Sequence, residues 1–240
     1  MNPLKQLVKH GLGCLLPSSR YVLNGPRQAR DIALTFDDGP HPTETAQVLD
    51  LLQELGIRGT FFVVGQRAAE SPELIERIVA EGHTLGHHSW SHSEPRDTSA
   101  AQLAAEILRT QELLRGIVGF APQLFRPPKG MLTFRKMQML WQLNQRVVLW
   151  NVDPRDYAVV PPENLDVWSE AYHPTAGDLV LFHDIHAHCR RAIRNLAGRP
   201  EFCRDWKFCT LEDWFPEINR CAESRSLSSQ EMRGNSVSCP

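Results

Sequence analysis

The chain has 240 residues, 42% of them hydrophobic, and a formal net charge of -2. That length suits one sizeable domain, and a near-neutral balance without blocks of like charge argues against a nucleic-acid-binding role. No apolar run approaches the roughly 20 residues of a membrane-spanning helix.

Residues 1–29 read as an N-terminal extension. The start resembles a secretion signal, but Lys5, Lys9 and His10 interrupt it. The apolar run from Gly11 to Leu16 also falls short of the about 7–15 residues of a signal core. Leu4, Leu7 and Val8 predict a short amphipathic helix closed by Pro17. The expectation is a cytoplasmic protein, with the cell envelope as the alternative.

From Asp31 onward, strand-like and helix-like stretches alternate. Ile32 to Phe36 is an apolar run that ends in Asp37, Asp38 and a Gly-Pro turn. Ala46, Leu49, Leu52 and Leu55 predict a helix over 43–55, with Gly56 as its C-cap. Thr60 to Val64 reads as a buried strand. Ser71, Pro72 and Glu73 carry the cap, first-position and dipole preferences of a helix start. Ser99 and Gln102 predict a capping box for a helix to about Arg115, with Leu103, Ile107, Leu114 and Ile117 facing the core. Val147 to Trp150 and Leu179 to Phe182 are further strand candidates. Such alternation predicts parallel βα units, whose functional groups gather at the C-terminal ends of strands. Residues 221–240, rich in Ser, Arg and Glu, read as a loose tail after a domain at 30–220. The six cysteines, Cys14, Cys189, Cys203, Cys209, Cys221 and Cys239, form no CxxC pair. Free thiols are expected, and a disulfide within the C-terminal region stays open.

Five short stretches hold the chemically capable residues. In HSWSH, His88 and His92 are four apart, which places them on one face if the segment is helical and suits one metal ion. His83 and His87 add imidazoles nearby. In TFDDGP, strand alternation points Asp37 and Asp38 apart, so one acid can bind a metal while the other faces substrate. RPPKG sets Arg126 in a rigid Pro-Pro segment, DPRDY follows a strand run, and LFHD ends another. Singly, each stretch also has an ordinary reading: surface histidines, a polar turn, or packing.

In order, TFDDGP at 35–40, HSWSH at 88–92, RPPKG at 126–130, DPRDY at 153–157 and LFH at 181–183 resemble the motifs of the polysaccharide deacetylases of carbohydrate esterase family four, the NodB-homology family. The resemblance covers roughly residues 30–190. It implies a single-domain α/β fold, a distorted (β/α) barrel with seven strands. It implies a hydrolase removing N-acetyl groups from amino sugars of a poly- or oligosaccharide. Asp38, His88 and His92 would hold a divalent metal, usually zinc, with cobalt as a substitute. Asp37 would be the general base, held by Arg126, and His183 the general acid, tuned by Asp153. Leu181 would line the pocket for the acetyl methyl group. Two positions depart from the pattern: Lys129 stands where Tyr is common, and Tyr157 where Trp is usual. Lys129, and Trp90 and Tyr157 as sugar-stacking or else packing residues, complete the substrate-side candidates. Two other readings remain: hydrolysis of another amide or formamide in a lipid-linked sugar or small metabolite, and a non-catalytic carbohydrate-binding relative.

Overall fold

The computed structural model describes residues 16–158 and 163–216. Its strands are β1 (Tyr21–Val22), β2 (Asp31–Asp37), β3 (Thr60–Val63), β4 (Thr84–His87), β5 (Leu124–Phe125), β6 (Arg146–Val148), β7 (Asp178–His183) and β8 (Lys207–Cys209). Seven of them form a curled sheet in the order β1-β6-β5-β4-β3-β2-β7, and β8 pairs with the start of β2. Every pairing is parallel. Parallel neighbours require crossovers, supplied here by α1 (Glu44–Leu55), α2 (Gly65–Glu70), α3 (Pro72–Ala80), α4 (Ala100–Val118), α5 (Phe134–Gln142), α6 (Glu163–Ala171), α7 (His188–Ala197) and α8 (Pro200–Asp205). A last turn, α9 (Leu211–Trp214), follows β8. This is the distorted (β/α) barrel expected from the resemblance.

A seam joins the chain just beyond β6 to β7, the strand at one end of the sheet. Val152, just beyond β6, makes an isolated parallel bridge to Val180 of β7. The Asn151 side chain extends the seam, donating to Asp178 at 2.7 Å and accepting from the Leu179 N–H at 2.7 Å.

The alternation of β2 divides the molecule into layers. Ile32, Leu34 and Phe36 point outward into a core shared with Val48, Leu49 and Leu52 of α1, Ile75 and Ile78 of α3, and Ile193 of α7. Phe36 stacks on Phe61 with centroids 4.6 Å apart. Truncating such a fully buried ring typically costs about 3–5 kcal/mol. Thr35 and Asp37 occupy the other face and reach Arg126 across the barrel. A second apolar cluster, containing Phe62, Phe125, Val147, Leu179 and Leu181, lies around that polar group.

Local signals hold at most helix ends. Gly56 caps α1 with φ 65°, and Ser99 and Gln102 form the expected capping box. That helix runs on to Val118 rather than ending near Arg115. Ser71 sits at the N-cap of α3 but makes no side-chain cap bond; Pro72 is at the first helical position. The stretch read as an extension to residue 29 contributes a strand instead: Tyr21 and Val22 are buried and pair with Val147 and Val148. The amphipathic helix before Pro17 and the tail at 221–240 lie outside the described residues, as do Cys14, Cys221, Cys239 and the Cys203 side chain. Cys189 and Cys209 are buried free thiols.

Candidate metal and acid–base site

Strand ends bring the site together. Asp37 ends β2 and His183 ends β7, and the two are register partners. His88 follows β4, and Arg126 follows β5 with its N–H donating to His87 O at 3.1 Å.

Asp38 takes its position from a kink rather than from pleat alternation. Its φ is 74°, so it leaves the strand and turns back towards the same histidine as Asp37. His88 Nε2 lies 3.6 Å from Asp38 Oδ1 and 3.7 Å from Asp37 Oδ2. Two contacts fix the turn: Arg67 donates to Asp38 O at 2.7 Å, and Gly39 N–H donates to Asp184 Oδ1 at 3.1 Å. A Cβ on Gly39 would meet that Asp184 carboxylate at 2.1 Å, so no other residue fits there unchanged.

The two histidines likewise meet by a loop and not by a helix. Ser89 and His92 adopt φ 67° and 54°, which folds 88–92 so that the ring centroids are 4.9 Å apart. Glu106 of α4 anchors this loop, accepting from Trp90 N–H at 3.1 Å, Ser91 N–H at 3.2 Å and Ser91 Oγ at 2.8 Å. The result is one cluster: ligand-capable atoms of Asp38, His88 and His92 all lie within 4.8 Å of one another.

The donor set suits a cation. Asp38 Oδ1 is buried and has no hydrogen-bond partner. It lies 3.3 Å from His92 Nε2. His88 Nδ1 is 2.6 Å from the Arg126 carbonyl, which can only accept, so the proton sits on Nδ1 and the Nε2 lone pair faces Asp38. Burial lowers the His88 pKa to about 3, so the ring is neutral, as a metal ligand must be.

Beside the cluster lies a buried ion pair. Arg126 Nη1 donates to Asp37 Oδ1 at 2.7 Å and to Thr35 Oγ1 at 2.8 Å, while Nη2 donates to Leu149 O at 3.1 Å. The guanidinium also packs 4.1 Å from the Phe62 ring centroid. Burial pushes the Asp37 carboxyl pKa up, against the pull of Arg126.

On the opposite wall stands His183. Its partner is Asp156, not Asp153: Asp156 Oδ1 is 2.9 Å from His183 Nδ1, and Asp156 Oδ2 accepts the His183 backbone N–H at 2.8 Å. Arg155, at φ 59°, turns the chain so that the second acid of DPRDY reaches inward. Asp153 stays at the rim and accepts from the Arg155 N–H at 2.9 Å and the Tyr157 hydroxyl at 3.5 Å. Burial alone would lower the His183 pKa, but the Asp156 carboxylate outweighs it and raises it to about 9.

The remaining candidates separate. Leu181 is buried on the same strand face as His183, two residues deeper. Tyr157 is 49% exposed and edge-on to His183, with centroids 5.1 Å apart. The Arg109 guanidinium lies 3.6 Å from the Trp90 ring centroid and covers one of its faces. Lys129 pairs with Glu94 at the surface. His83 and His87 lie outside the cluster, accepting from Gly59 N–H and bonding Gln145 respectively. The reading of the sequence missed Asp156, Asp184 and Glu106, although the first two stand inside stretches it had singled out.

The sequence model of the polysaccharide deacetylases matches residues 24–148. A peptidoglycan-N-acetylglucosamine deacetylase of Bacillus cereus is 33% identical over 145 residues, 60% of this chain and 53% of that protein. A chitooligosaccharide deacetylase of a Bradyrhizobium species is 37% identical over 65% of this chain and 71% of its own length. A crystal structure of a peptidoglycan N-acetylglucosamine deacetylase with a bound naphthyl N-oxidanyl-benzamide superposes with a TM-score of 0.76 at 27% identity, over 90% of this chain and 98% of that one. Against the curated relatives that head the comparison, the chain spans about half their length. The chain belongs to the polysaccharide deacetylase family.

Proposed function

We propose that the protein is a metal-dependent hydrolase that removes N-acetyl groups from the amino sugars of a glycan, and that Asp38, His88 and His92 hold its metal. The observation that carries this is the buried, unpartnered Asp38 Oδ1 facing two imidazole nitrogens, between a buried carboxylate and a protonatable histidine. A divalent ion held there, zinc being the expected one, would polarise the amide carbonyl and acidify a water. Three protein ligands leave room for both.

The chain's own groups then divide the proton work. Asp37, with Arg126 fixing its Oδ1, offers Oδ2 on the His88 side and takes the proton of the attacking water. His183 binds Asp156 through Nδ1, so Nε2 is the nitrogen that protonates the departing amine. In the RPPKG segment, Pro127 and Pro128 have no N–H, and the N–H groups of Arg126 and Gly130 are already bonded. That leaves the Lys129 N–H, presented at φ 55°, to meet the oxygen that gains charge. Leu181 lies below for the acetyl methyl group.

The test is acetate release from N-acetylglucosamine oligomers and from peptidoglycan. It should stop on chelation and return with zinc or cobalt. Full activity in a preparation free of metal would overturn the proposal.

A further inference from the structure

A cleft outside the acid–base site carries a charge that the proposed chemistry leaves unused. It measures about 490 Å³ and lies between the 95–100 and 131–136 segments. It is lined by Arg96, Arg135 and Lys136 together with Pro95, Thr98, Ser99, Thr133 and Met131, and by no carboxylate. α4 follows β4 and α5 follows β5. Their first turns therefore sit at the C-terminal ends of the strands, on the face that holds the metal cluster. The first segment continues the loop carrying His92, and the second continues RPPKG.

Lys136 makes the cleft more than a patch of surface arginines. Its residue is 5% exposed, yet its ammonium contacts only a backbone carbonyl, Pro95 O at 2.5 Å. A buried cation without a counter-ion is costly unless an anion joins it. Among the described residues, none of the three cations has a carboxylate within ion-pair distance. The nearby acids make their closest contacts outside the cleft. Glu94 is bound by Lys129 and also accepts the Arg96 backbone N–H. Glu106 holds the 90–93 loop and shares a small neighbouring pocket with Lys136. Neither acid lines the cleft itself, nor does exposed Asp97.

We propose that this cleft binds carboxylate groups borne by the glycan, so that the protein prefers an anionic N-acetylated glycan to a neutral one. The proposal rests on the deacetylase reading for its substrate and names the class that site would take. Arg96 and Arg135 give bidentate contacts to carboxylates, and Lys136 supplies a fixed charge behind them.

The experiment compares three substrates: a peptide-bearing glycan with free carboxylates, the same glycan with those carboxylates amidated, and a neutral N-acetylglucosamine oligomer. The wild type should show a KM at least about tenfold lower for the free-carboxylate glycan, with a preference that shrinks as salt rises. In Arg96→Ser/Arg135→Ser the ratio of the KM values should collapse towards one, and in Arg96→Glu/Arg135→Glu it should invert. The proposal is overturned if the wild type does not distinguish free from amidated carboxylates, or if the double variants keep the wild-type ratio. If none of the glycans is deacetylated, the function proposed above fails first. Binding of the labelled free-carboxylate glycan then decides the cleft: weaker binding in the serine double variant supports it, and equal binding sinks it.

Discussion

Asp37, Arg126 and His88 are held with at most 2% of each residue exposed, while Tyr157 is 49% exposed and the Lys129 side chain 54%. The deep group hangs from the ends of β2, β4 and β5, and His88 Nδ1, Asp37 Oδ1 and both Arg126 Nη atoms are tied to one another or to backbone carbonyls. The rim group stands on loops and is tied to single exposed carboxylates. In the depth, position and charge depend on each other, so removing one group leaves another buried without its partner. At the rim, water replaces what is lost. In the proposed reaction the deep group would carry the base, while the rim side chains could vary without disturbing it.

The largest effect should come from the deep carboxylate. Asp37→Asn should retain its metal and lose turnover by roughly 10²–10⁴, the range for a lost general base. Bound zinc and turnover across a zinc titration check this. Restoration by added zinc would mean that Asp37 is a ligand and that the division of labour with Asp38 is wrong. Next, Arg126→Met should destabilise the fold by about 3–5 kcal/mol, because Asp37 stays buried without its cation. Urea unfolding at neutral pH measures it. A cost below about 1 kcal/mol would place Arg126 with the rim.

The acid wall sharpens the contrast. His183 is protonated below about pH 9, so turnover on N-acetyl substrates should fall as pH rises through that value. Asp156→Asn removes the charge that raises the pKa and should move this fall to lower pH. Asp153→Asn should leave it in place. A shift caused by Asp153→Asn alone would reverse the assignment. The smallest effect belongs to Tyr157→Phe. Its hydroxyl reaches Asp153 only at 3.5 Å, so turnover should change by less than about tenfold; a larger loss would bring Tyr157 into the chemistry.

The strands and the motif-bearing residues were legible because their signals are local. Ile32 to Phe36 is apolar and bounded by a turn, and Asp37 and His183 lie at the ends of such runs, whereas β4 and β5, which precede His88 and Arg126, were not read from the sequence. What was not legible depends on single backbone dihedrals. Pleat alternation separates Asp37 from Asp38 on paper, but a left-handed Asp38 turns both towards His88. A helical spacing joins His88 and His92 on paper, whereas two left-handed residues join them in a loop. Arg155 makes the same kind of choice between Asp153 and Asp156. β1 and β5 are two residues each, too short for any periodicity to show. Glu106 lies next to Ile107 on a helix, where a lone acid carries no mark of the loop it holds.

The seam between Val152 and Val180 gives the barrel a preferred place to unzip. Elsewhere β2 shares six register pairs with β7, but here the joining falls to one bridge, the Asn151 amide and its backbone N–H, and a bond from Gly25 N–H to Gly177 O. Amide protons of Val152 and Leu181 should therefore exchange with solvent before those of Phe36 and Phe61. Asp156 lies just past this join on one side and His183 just past it on the other. Partial opening would part the acid from the carboxylate that sets its pKa, while β2 and β4 still hold Asp38 and His88 together. A protein in that half-unzipped state would keep the proposed ligands together and lose the proposed proton donor.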